Sequence, residues 1–194
     1  MNVLILGANG GIARSAIDLF LKETDAQLTL YLRNARRLGH IDRNRARAIE
    51  GDVLDTGKLD AAMLGQDVVY ANLAGDLARM ARAIVAAMKL TGVHRLIFIS
   101  SMGIYGEVPG EKYRSVLDPY RDAARIIEAS DLDYTILRPA WFTDDDEIDY
   151  ETTQKGEPFK GRVVSRKSVA ALVVRLAQSP EFELRHSLGV SKPK

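Results

Sequence analysis

Short apolar runs alternate along the chain with longer stretches whose apolar residues recur every three or four positions. The short runs predict strands, and the longer stretches predict amphipathic helices. Strands are predicted at residues 3–6, 27–32, 46–50, 67–73, 95–101 and 134–137, with an edge strand at 187–190. Helices are predicted directly after the glycines at 7–11, over 59–64, 77–91 and 119–130, and after a capping serine at 165.

The order of these elements predicts the fold class. Strand and helix alternate nearly throughout, and the strands are almost wholly apolar, which is typical of a parallel sheet covered by helices on both faces. We therefore predict an α/β protein with a doubly wound parallel sheet of six to seven strands. It would form one domain over residues 1–194 with a small C-terminal extension on the substrate side. Ligands of such sheets bind beyond the carboxyl ends of the strands, so the candidate site residues are those that follow each strand.

Composition and charge exclude several functional classes. The 194 residues carry a net charge of +1 and include no cysteine. Disulfides, thiol catalysis and cysteine-bound zinc are therefore excluded, and the three histidines are too far apart in the sequence to predict a metal site. The balanced charge gives no electrostatic reason to expect nucleic acid or a membrane surface as a partner. No run has transmembrane length and the first strand begins at once, so we expect a cytoplasmic protein without a signal peptide.

The glycine cluster after the first strand is the first candidate site. A strand, a tight glycine turn and a helix N-terminus place backbone N–H groups where they can bind a phosphate. The spacing Gly7-x-x-Gly10-x-x-Ala13 is looser than the main dinucleotide fingerprint, but the glycines still allow a sharp turn and a close approach of backbone to a pyrophosphate. The residues predicted to bind it are Gly7, Ala8, Asn9, Gly10, Gly11 and Ile12.

Five motifs in order carry a resemblance to a known family. They are Gly7-Ala-Asn-Gly-Gly-Ile-Ala13, Gly51-Asp52-Val53, Asn72-Leu73-Ala74-Gly75, Ser100-Ser101-x-x-x-Tyr105-Gly106 and Asp133-Tyr-Thr-Ile-Leu-Arg138-Pro139. Together they resemble the atypical short-chain dehydrogenase/reductases, in particular the compact NmrA-like NAD(P)H-binding proteins with a Rossmann fold. The resemblance implies that Asp52 contacts adenine, that Ala74 and Gly75 line the ribose, and that Ser100 and Ser101 lie near the nicotinamide. Val53 and Leu73, beside these residues, are also predicted to bind the cofactor.

Arg33, at the end of the second strand, bears on the choice of cofactor. Sites that prefer NAD usually carry Asp or Glu at this position, about 20 residues past the glycines, to bond the ribose 2′-OH. A guanidinium can instead hold a 2′-phosphate through paired, charged hydrogen bonds. We therefore predict NADP(H) in preference to NAD(H). The alternative is a solvated arginine in a basic turn with Arg36 and Arg37.

Asp52 and Ser101 each have a functional and a local interpretation. Asp52 can contact adenine or simply begin a turn, as Asp commonly does. In the active members of the resembled family, the serine at the position of Ser101 hydrogen-bonds the substrate carbonyl. The alternative is a loop serine that bonds the local backbone.

Tyr120 is the candidate proton donor, but its surroundings depart from the family pattern. The active enzymes use Tyr-x-x-x-Lys, in which the charge of the lysine lowers the pKa of the tyrosine. Here Ala124 stands at the lysine position, and Arg125 points to another side of the helix. The helical spacing of Tyr120 with residues 123, 124 and 127 favours core packing over catalysis.

These observations lead to one predicted function and two alternatives. The prediction is an NADPH-dependent oxidoreductase that reduces a small planar acceptor (flavin or quinone) or a carbonyl, since flavins and quinones do not require a tuned tyrosine. The alternatives are a non-catalytic NAD(P)H-sensing regulator and an NAD-dependent epimerase/dehydratase-like enzyme. Trp141 and Phe142 can form an apolar wall for a flat acceptor, although we expect them to be core aromatics. The apolar faces of helices 77–88 and 119–130 fit a homodimer interface as well as a core.

Overall fold

The computed structural model describes residues 1–39 and 41–193. The strands are β1 (Asn2–Leu6), β2 (Gln27–Leu32), β3 (Ala46–Glu50), β4 (Val68–Ala71), β5 (Arg95–Ile99), β6 (Asp133–Pro139), β7 (Trp141–Thr143), β8 (Glu151–Thr153), β9 (Val163–Ser165) and β10 (His186–Ser191). The α-helices are α1 (Gly11–Glu23), α2 (Thr56–Met63), α3 (Leu77–Thr91), α4 (Asp118–Glu128) and α5 (Arg166–Gln178). Short 3₁₀ turns occupy Ala35–Leu38 and Ser115–Leu117. None of the helices in these ranges is long and apolar enough to cross a membrane.

The central sheet confirms the predicted fold class. Its eight strands run in the order β3-β2-β1-β4-β5-β6-β10-β8, and every pairing is parallel except that of β8 with β10. The first six strands have the order of a Rossmann fold. The order reverses at β1, which lies between β2 and β4. A ligand crevice is expected at this point of reversal, beyond the carboxyl ends of the strands.

The C-terminal part of the sheet differs from the sequence prediction. The segment predicted as an edge strand at 187–190 is internal, because β10 pairs with β6 on one side and β8 on the other. The true edge is β8, which raises the strand number from six or seven to eight. A separate two-stranded sheet is formed by β7 and β9. These strands have three residues each and are stabilised by distant pairing, so no local alternation of apolar residues marks them.

The strands divide their side chains between two helical layers. In β1, Val3 and Ile5 face the core formed with α1 and α5, whereas Leu4 and Leu6 face the core formed with α2, α3 and α4. This alternation is the expected period of two along a strand. The helix ends follow local rules as well. The left-handed Gly92 ends α3, and the Ser165 side chain begins α5 by accepting a hydrogen bond from the N–H of Ser168 at 2.9 Å.

Tyr70 provides a test of the core. Its side chain is fully buried in β4, and its hydroxyl has no hydrogen-bonding partner among residues 1–39 and 41–193. A buried hydroxyl without a partner reduces stability. Burial also raises the pKa of Tyr70, so the group stays neutral.

We expect Tyr70→Phe to raise the free energy of unfolding by about 1 kcal/mol, because it removes an unsatisfied polar atom and keeps the ring. Urea denaturation measures the change. Tyr31→Phe is the matched control: the Tyr31 hydroxyl donates to the Asp52 carbonyl at 2.8 Å, so its removal should lower stability by about 1 kcal/mol. If both variants lost the same free energy of unfolding, the Tyr70 hydroxyl would have a hydrogen-bonding partner, contrary to the structure described.

Candidate functional site

A cavity of about 400 Å³ lies at the carboxyl ends of β1 to β4, at the point where the strand order reverses. We call it the glycine-loop cavity. Eight of the residues predicted from the sequence to bind the cofactor line it: Gly7, Asn9, Gly10, Arg33, Asp52, Val53, Leu73 and Ala74. The structure thus brings together side chains and backbone from four separate strand ends. The lining residues that sequence reasoning did not select are Tyr31, Leu32, Asn34, Arg37, Gly51, Asn72 and Met80.

The remaining predicted residues lie beside this cavity rather than on its wall. Ala8 and Ile12 belong to the glycine loop and the first turn of α1, and their side chains are buried in the core under the sheet. Gly11 is exposed and is the first residue of α1. Gly75 is exposed before α3. Their roles toward a cofactor stay predictions.

The glycine loop packs closely against the residue that follows β4. Gly7 has a φ of +79°, and a Cβ there would lie 2.1 Å from the carbonyl oxygen of Asn72. A Cβ at Gly10 would lie 2.2 Å from Asn72 Nδ2. The sequence predicts that Gly10 allows the approach of a pyrophosphate. In the structure, the contact with Asn72 already requires a glycine at this position. No backbone pattern along the chain indicates a contact 62 residues apart.

The N-terminus of α1 is left open toward the loop. Gly10 occupies the N-cap position, and in the described structure no side chain caps it. The first N–H groups of a helix have no partner within the helix, and they carry the positive end of its dipole. The loop therefore offers backbone donors suited to a phosphate, and no side chain takes the capping hydrogen bond.

Arg33 follows β2 and is exposed on the wall of the glycine-loop cavity. Its guanidinium makes no hydrogen bond to the rest of the described chain, so it is available to a ligand. Arg37 lines the same wall from the next turn, whereas Arg36 does not. That turn begins where Asn34 Oδ1 accepts the Arg36 N–H at 3.1 Å. Arg33 and Arg37 therefore both lie at the end of β2. The sequence predicted a cofactor contact only for Arg33.

Asp52 combines the two interpretations that the sequence left open. Its Oδ1 accepts the N–H of Leu54 at 2.9 Å, which is the local turn, and the residue also lines the cavity. The Tyr31 hydroxyl donates a hydrogen bond to the Asp52 carbonyl and so helps to fix the position of Asp52. Burial and the negative charges of Asp55 and Asp52 raise the pKa of Tyr31 to about 12. The hydroxyl therefore remains a donor at neutral pH.

The two serines after β5 lie outside the glycine-loop cavity. Ser100 is 5% exposed, and its Oγ has no partner within the described ranges. The Ser101 hydroxyl donates to the Met102 carbonyl at 3.2 Å, as the local interpretation expects. The Ser100 hydroxyl is thus a buried polar group whose desolvation no hydrogen bond in these ranges offsets.

The structure places Tyr120 in a packing environment. Tyr120 is half-buried against the core on the side of α2, α3 and α4. Ala124, where active enzymes have lysine, is fully buried. Arg125 is exposed and pairs with Asp122 at 3.2 Å, so it does not replace the lysine. The arrangement agrees with the packing role that the helical spacing favours.

A buried ion pair fixes the loop after β5. Arg138 of β6 is fully buried, and its Nη1 lies 2.5 Å from Glu107 Oε1. Glu107 also accepts the N–H of Gly103 at 3.0 Å and that of Tyr105 at 2.9 Å. Arg138 Nε donates to Ser187 Oγ of β10 at 3.1 Å. One guanidinium thus joins the loop to two strands, and Arg138 is a structural residue rather than part of an open site.

Beyond this loop lies a second and larger cavity of about 770 Å³, which we call the Trp141 cavity. Trp141 and Phe142 are 57% and 40% exposed, so the expectation that they are core aromatics is wrong. The reason is that β7 belongs to the separate two-stranded sheet, outside the two helical layers. Trp141 and not Phe142 lines the cavity. In the described parts of the chain, no cluster of acidic residues and histidines has metal-binding geometry.

Comparison with known proteins places this geometry among NAD(P)-binding proteins. Residues 7–180 match the family model described as NAD(P)H-binding. A solved Rossmann-fold NAD(P)-binding family protein from Shigella flexneri is 48% identical, with a TM-score of 0.89 over 99% of this chain and 93% of that chain. A wide-type short-chain dehydrogenase/reductase from Veillonella parvula DSM 2008, solved in complex with NADP, is 32% identical, with a TM-score of 0.91 over 99% of this chain and 94% of that one.

A curated protein also matches nearly the whole chain. It comes from Bacillus subtilis (strain 168) and is named an uncharacterized sugar epimerase. The two are 26% identical over 202 residues, covering 95% of this chain and 92% of that protein.

The contact between Gly10 and Asn72 can be tested by a double-mutant cycle. Gly10 has an ordinary φ of −67°, so the collision with Asn72 is the main cost of a Cβ there. We expect Gly10→Ala to lower the free energy of unfolding by about 1–3 kcal/mol, and to cost less in an Asn72→Ala background.

Gly57→Ala is the control for this cycle, since a Cβ at Gly57 would meet nothing closer than 3.9 Å. It lies within α2 and should raise stability by about 0.5–1 kcal/mol through helix propensity. An equal cost of Gly10→Ala with and without the Asn72 side chain would contradict the packing described.

Proposed function

This chain belongs to the NAD(P)H-binding family, and from this premise we propose that it is an NADPH-dependent reductase of a small planar or carbonyl acceptor. The observation that carries the proposal is the glycine-loop cavity with Arg33 at its β2 end. A binding cavity at the reversal point of a doubly wound sheet suits a dinucleotide. An arginine in place of a carboxylate at the end of β2 suits the phosphate that distinguishes NADPH from NADH.

The residues present fit this cofactor. The uncapped start of α1 and the glycine loop would hold the diphosphate, and Arg33 with Arg37 would hold the 2′-phosphate. Asp52 and Val53 would flank the adenine. Ser100 and Ser101 directly follow β5, where the nicotinamide would lie.

The bound nicotinamide would supply a hydride, which with one proton from water reduces the acceptor by two electrons and leaves NADP⁺. The role of this chain is to bind the acceptor beside the hydride donor and to orient it. Ser101 is the candidate for orientation, since a half-buried hydroxyl bonded only to the adjacent Met102 carbonyl can turn toward an acceptor oxygen. No side chain here has the tyrosine–lysine arrangement that donates protons to weakly electrophilic carbonyls. We therefore favour flavin-like or quinone-like acceptors, whose reduced forms take protons from water.

A second candidate function is a regulator that binds NADP(H) without turnover. The specific observation in its favour is Ala124, buried where active short-chain enzymes carry the lysine. The two functions share the cofactor and differ in whether the nicotinamide end receives an acceptor. Turnover separates them directly.

Arg33→Asp tests the choice of cofactor. The substitution removes a charged hydrogen-bonding partner and adds repulsion toward the 2′-phosphate, so the affinity for NADPH should fall roughly a hundredfold. The affinity for NADH should change less than threefold. Calorimetric titration of both cofactors makes the measurement.

Arg36→Asp is the matched control, because it makes the same charge change in the same turn but lies outside the cavity wall. It should weaken NADPH binding much less. Equal losses for NADPH and NADH in Arg33→Asp would contradict the proposed 2′-phosphate contact.

Turnover is tested by following NADPH oxidation against flavins, quinones and aldehydes. We expect flavins and quinones to react faster than aldehydes. Ser101→Ala should lower kcat/KM for the acceptor by about tenfold, the value of one hydrogen bond, with NADPH affinity unchanged. Tyr120→Phe should leave kcat/KM unchanged, because the ring packs and the hydroxyl moves no proton. Binding of NADPH without oxidation by any acceptor would favour the regulator.

A further inference from the structure

We propose that the Trp141 cavity binds a planar acceptor that carries an anionic group, with the flat ring on Trp141 and the anion at Arg162. This inference rests on the proposed function, since it names the class of acceptor for the same active site. The cavity shares no residue with the glycine-loop cavity. A ligand there would contact different residues from those that would hold the cofactor.

The position of the cavity places a ligand next to the nicotinamide end. Met102 follows the two serines of β5, and Trp141 follows β6 by one residue. The Met102 N–H donates to the Pro139 carbonyl at 3.2 Å, which joins the exits of these neighbouring strands. Because the strands are parallel, the two exits lie on the same edge of the sheet as the glycine loop. An acceptor in this cavity would lie beyond Ser101, within reach of a hydride donor.

The apolar part of the wall suits a flat ring. Trp141 is more than half exposed, and Met102, Val108 and Phe159 complete the apolar lining. An indole exposed in a concavity is a stacking surface for an aromatic ligand. The volume of about 770 Å³ lies within the range of about 300–1,000 Å³ that is usual for small-molecule sites. It is large enough for a fused ring system.

The polar part of the wall is mostly cationic. Lys160, Arg162 and Lys192 line the cavity with a single carboxylate, that of Glu111.

The two lysines already have carboxylate partners. Lys160 pairs with Glu151 at 3.2 Å, and Lys192 pairs with Glu147 at 2.7 Å.

Arg162 differs from the two lysines. Its guanidinium donates no hydrogen bond and forms no ion pair within the described ranges, although its carbonyl accepts the Trp141 N–H at 3.1 Å. The Arg114 guanidinium carbon lies 5.7 Å from the centre of the Trp141 indole ring. A backbone hydrogen bond thus joins the main chains of Trp141 and Arg162, and both residues line the cavity. A flat ring that carries a carboxylate, phosphate or sulfonate can stack on the Trp141 indole and pair with the Arg162 guanidinium at the same time.

The test uses the fluorescence of Trp141, which is the only tryptophan of the chain. Two pairs of probes share a ring and differ in charge: FMN with riboflavin, and anthraquinone-2-sulfonate with 2-(hydroxymethyl)anthraquinone. Each is titrated into the whole protein with saturating NADP⁺ present. We expect the anionic member of at least one pair to quench Trp141 with an affinity at least tenfold higher than its neutral partner.

Arg162→Gln should remove this preference and leave the affinity of the neutral probe unchanged. Arg162→Lys should restore part of it, and Arg125→Gln, on the exposed face of α4, should have no effect. Equal affinities within both pairs, or a preference that survives Arg162→Gln, would overturn the inference. Neither result affects the proposed function, which fails separately if NADPH does not bind or is not oxidised by any acceptor.

Discussion

The close packing of the glycine loop on Asn72 is the constraint on which the glycine-loop cavity depends. β1 lies between β2 and β4, so the loop that leaves β1 must pass over the residue that leaves β4. Only glycine at positions 7 and 10 allows this passage, since a Cβ at either would collide with Asn72. The same contact sets the direction of α1 and leaves its first N–H groups open. One steric requirement therefore produces both the turn of the chain and the anion site at the helix N-terminus.

The loop after β5, next to the Trp141 cavity, is held by a different kind of interaction. Arg138 and Glu107 are both buried, and together they bind the loop after β5 to β6 and β10. A buried ion pair is costly to desolvate, and loss of one partner leaves a buried charge without compensation. The parallel pairing of β5 with β6 already places the two serines, Met102 and Trp141 at one edge of the sheet. The ion pair adds a fixed position for the loop after β5, because Glu107 binds both Arg138 and the N–H groups of that loop.

Local sequence patterns predicted the strands and helices well, but they predicted the contacts between these elements less well. The bounds of β2 and β3 were predicted without error, and Gly92 ends α3 as expected, because periodicity and caps depend on neighbouring residues. β8 was missed because a strand of three residues is defined by distant pairing, and β10 was therefore taken for an edge. The wall of the glycine-loop cavity was likewise predicted only in part. Arg33 could be found from its spacing, but the packing of Asn72 on Gly10, and the position of Arg37 rather than Arg36 on the wall, depend on contacts between loops.

The described structure thus has a glycine-loop cavity lined by Arg33 and a separate Trp141 cavity, and the sequence contains no Tyr-x-x-x-Lys motif. On these grounds we propose hydride transfer to acceptors that need no enzymic proton donor. The claim at the centre of this account is that the cavity selects NADPH through its 2′-phosphate. Calorimetric titration of the unmodified protein with NADPH and with NADH tests it most directly. The account predicts that NADPH binds at least tenfold more tightly, a difference of about 1.4 kcal/mol. Equal affinities, or tighter binding of NADH, would contradict it.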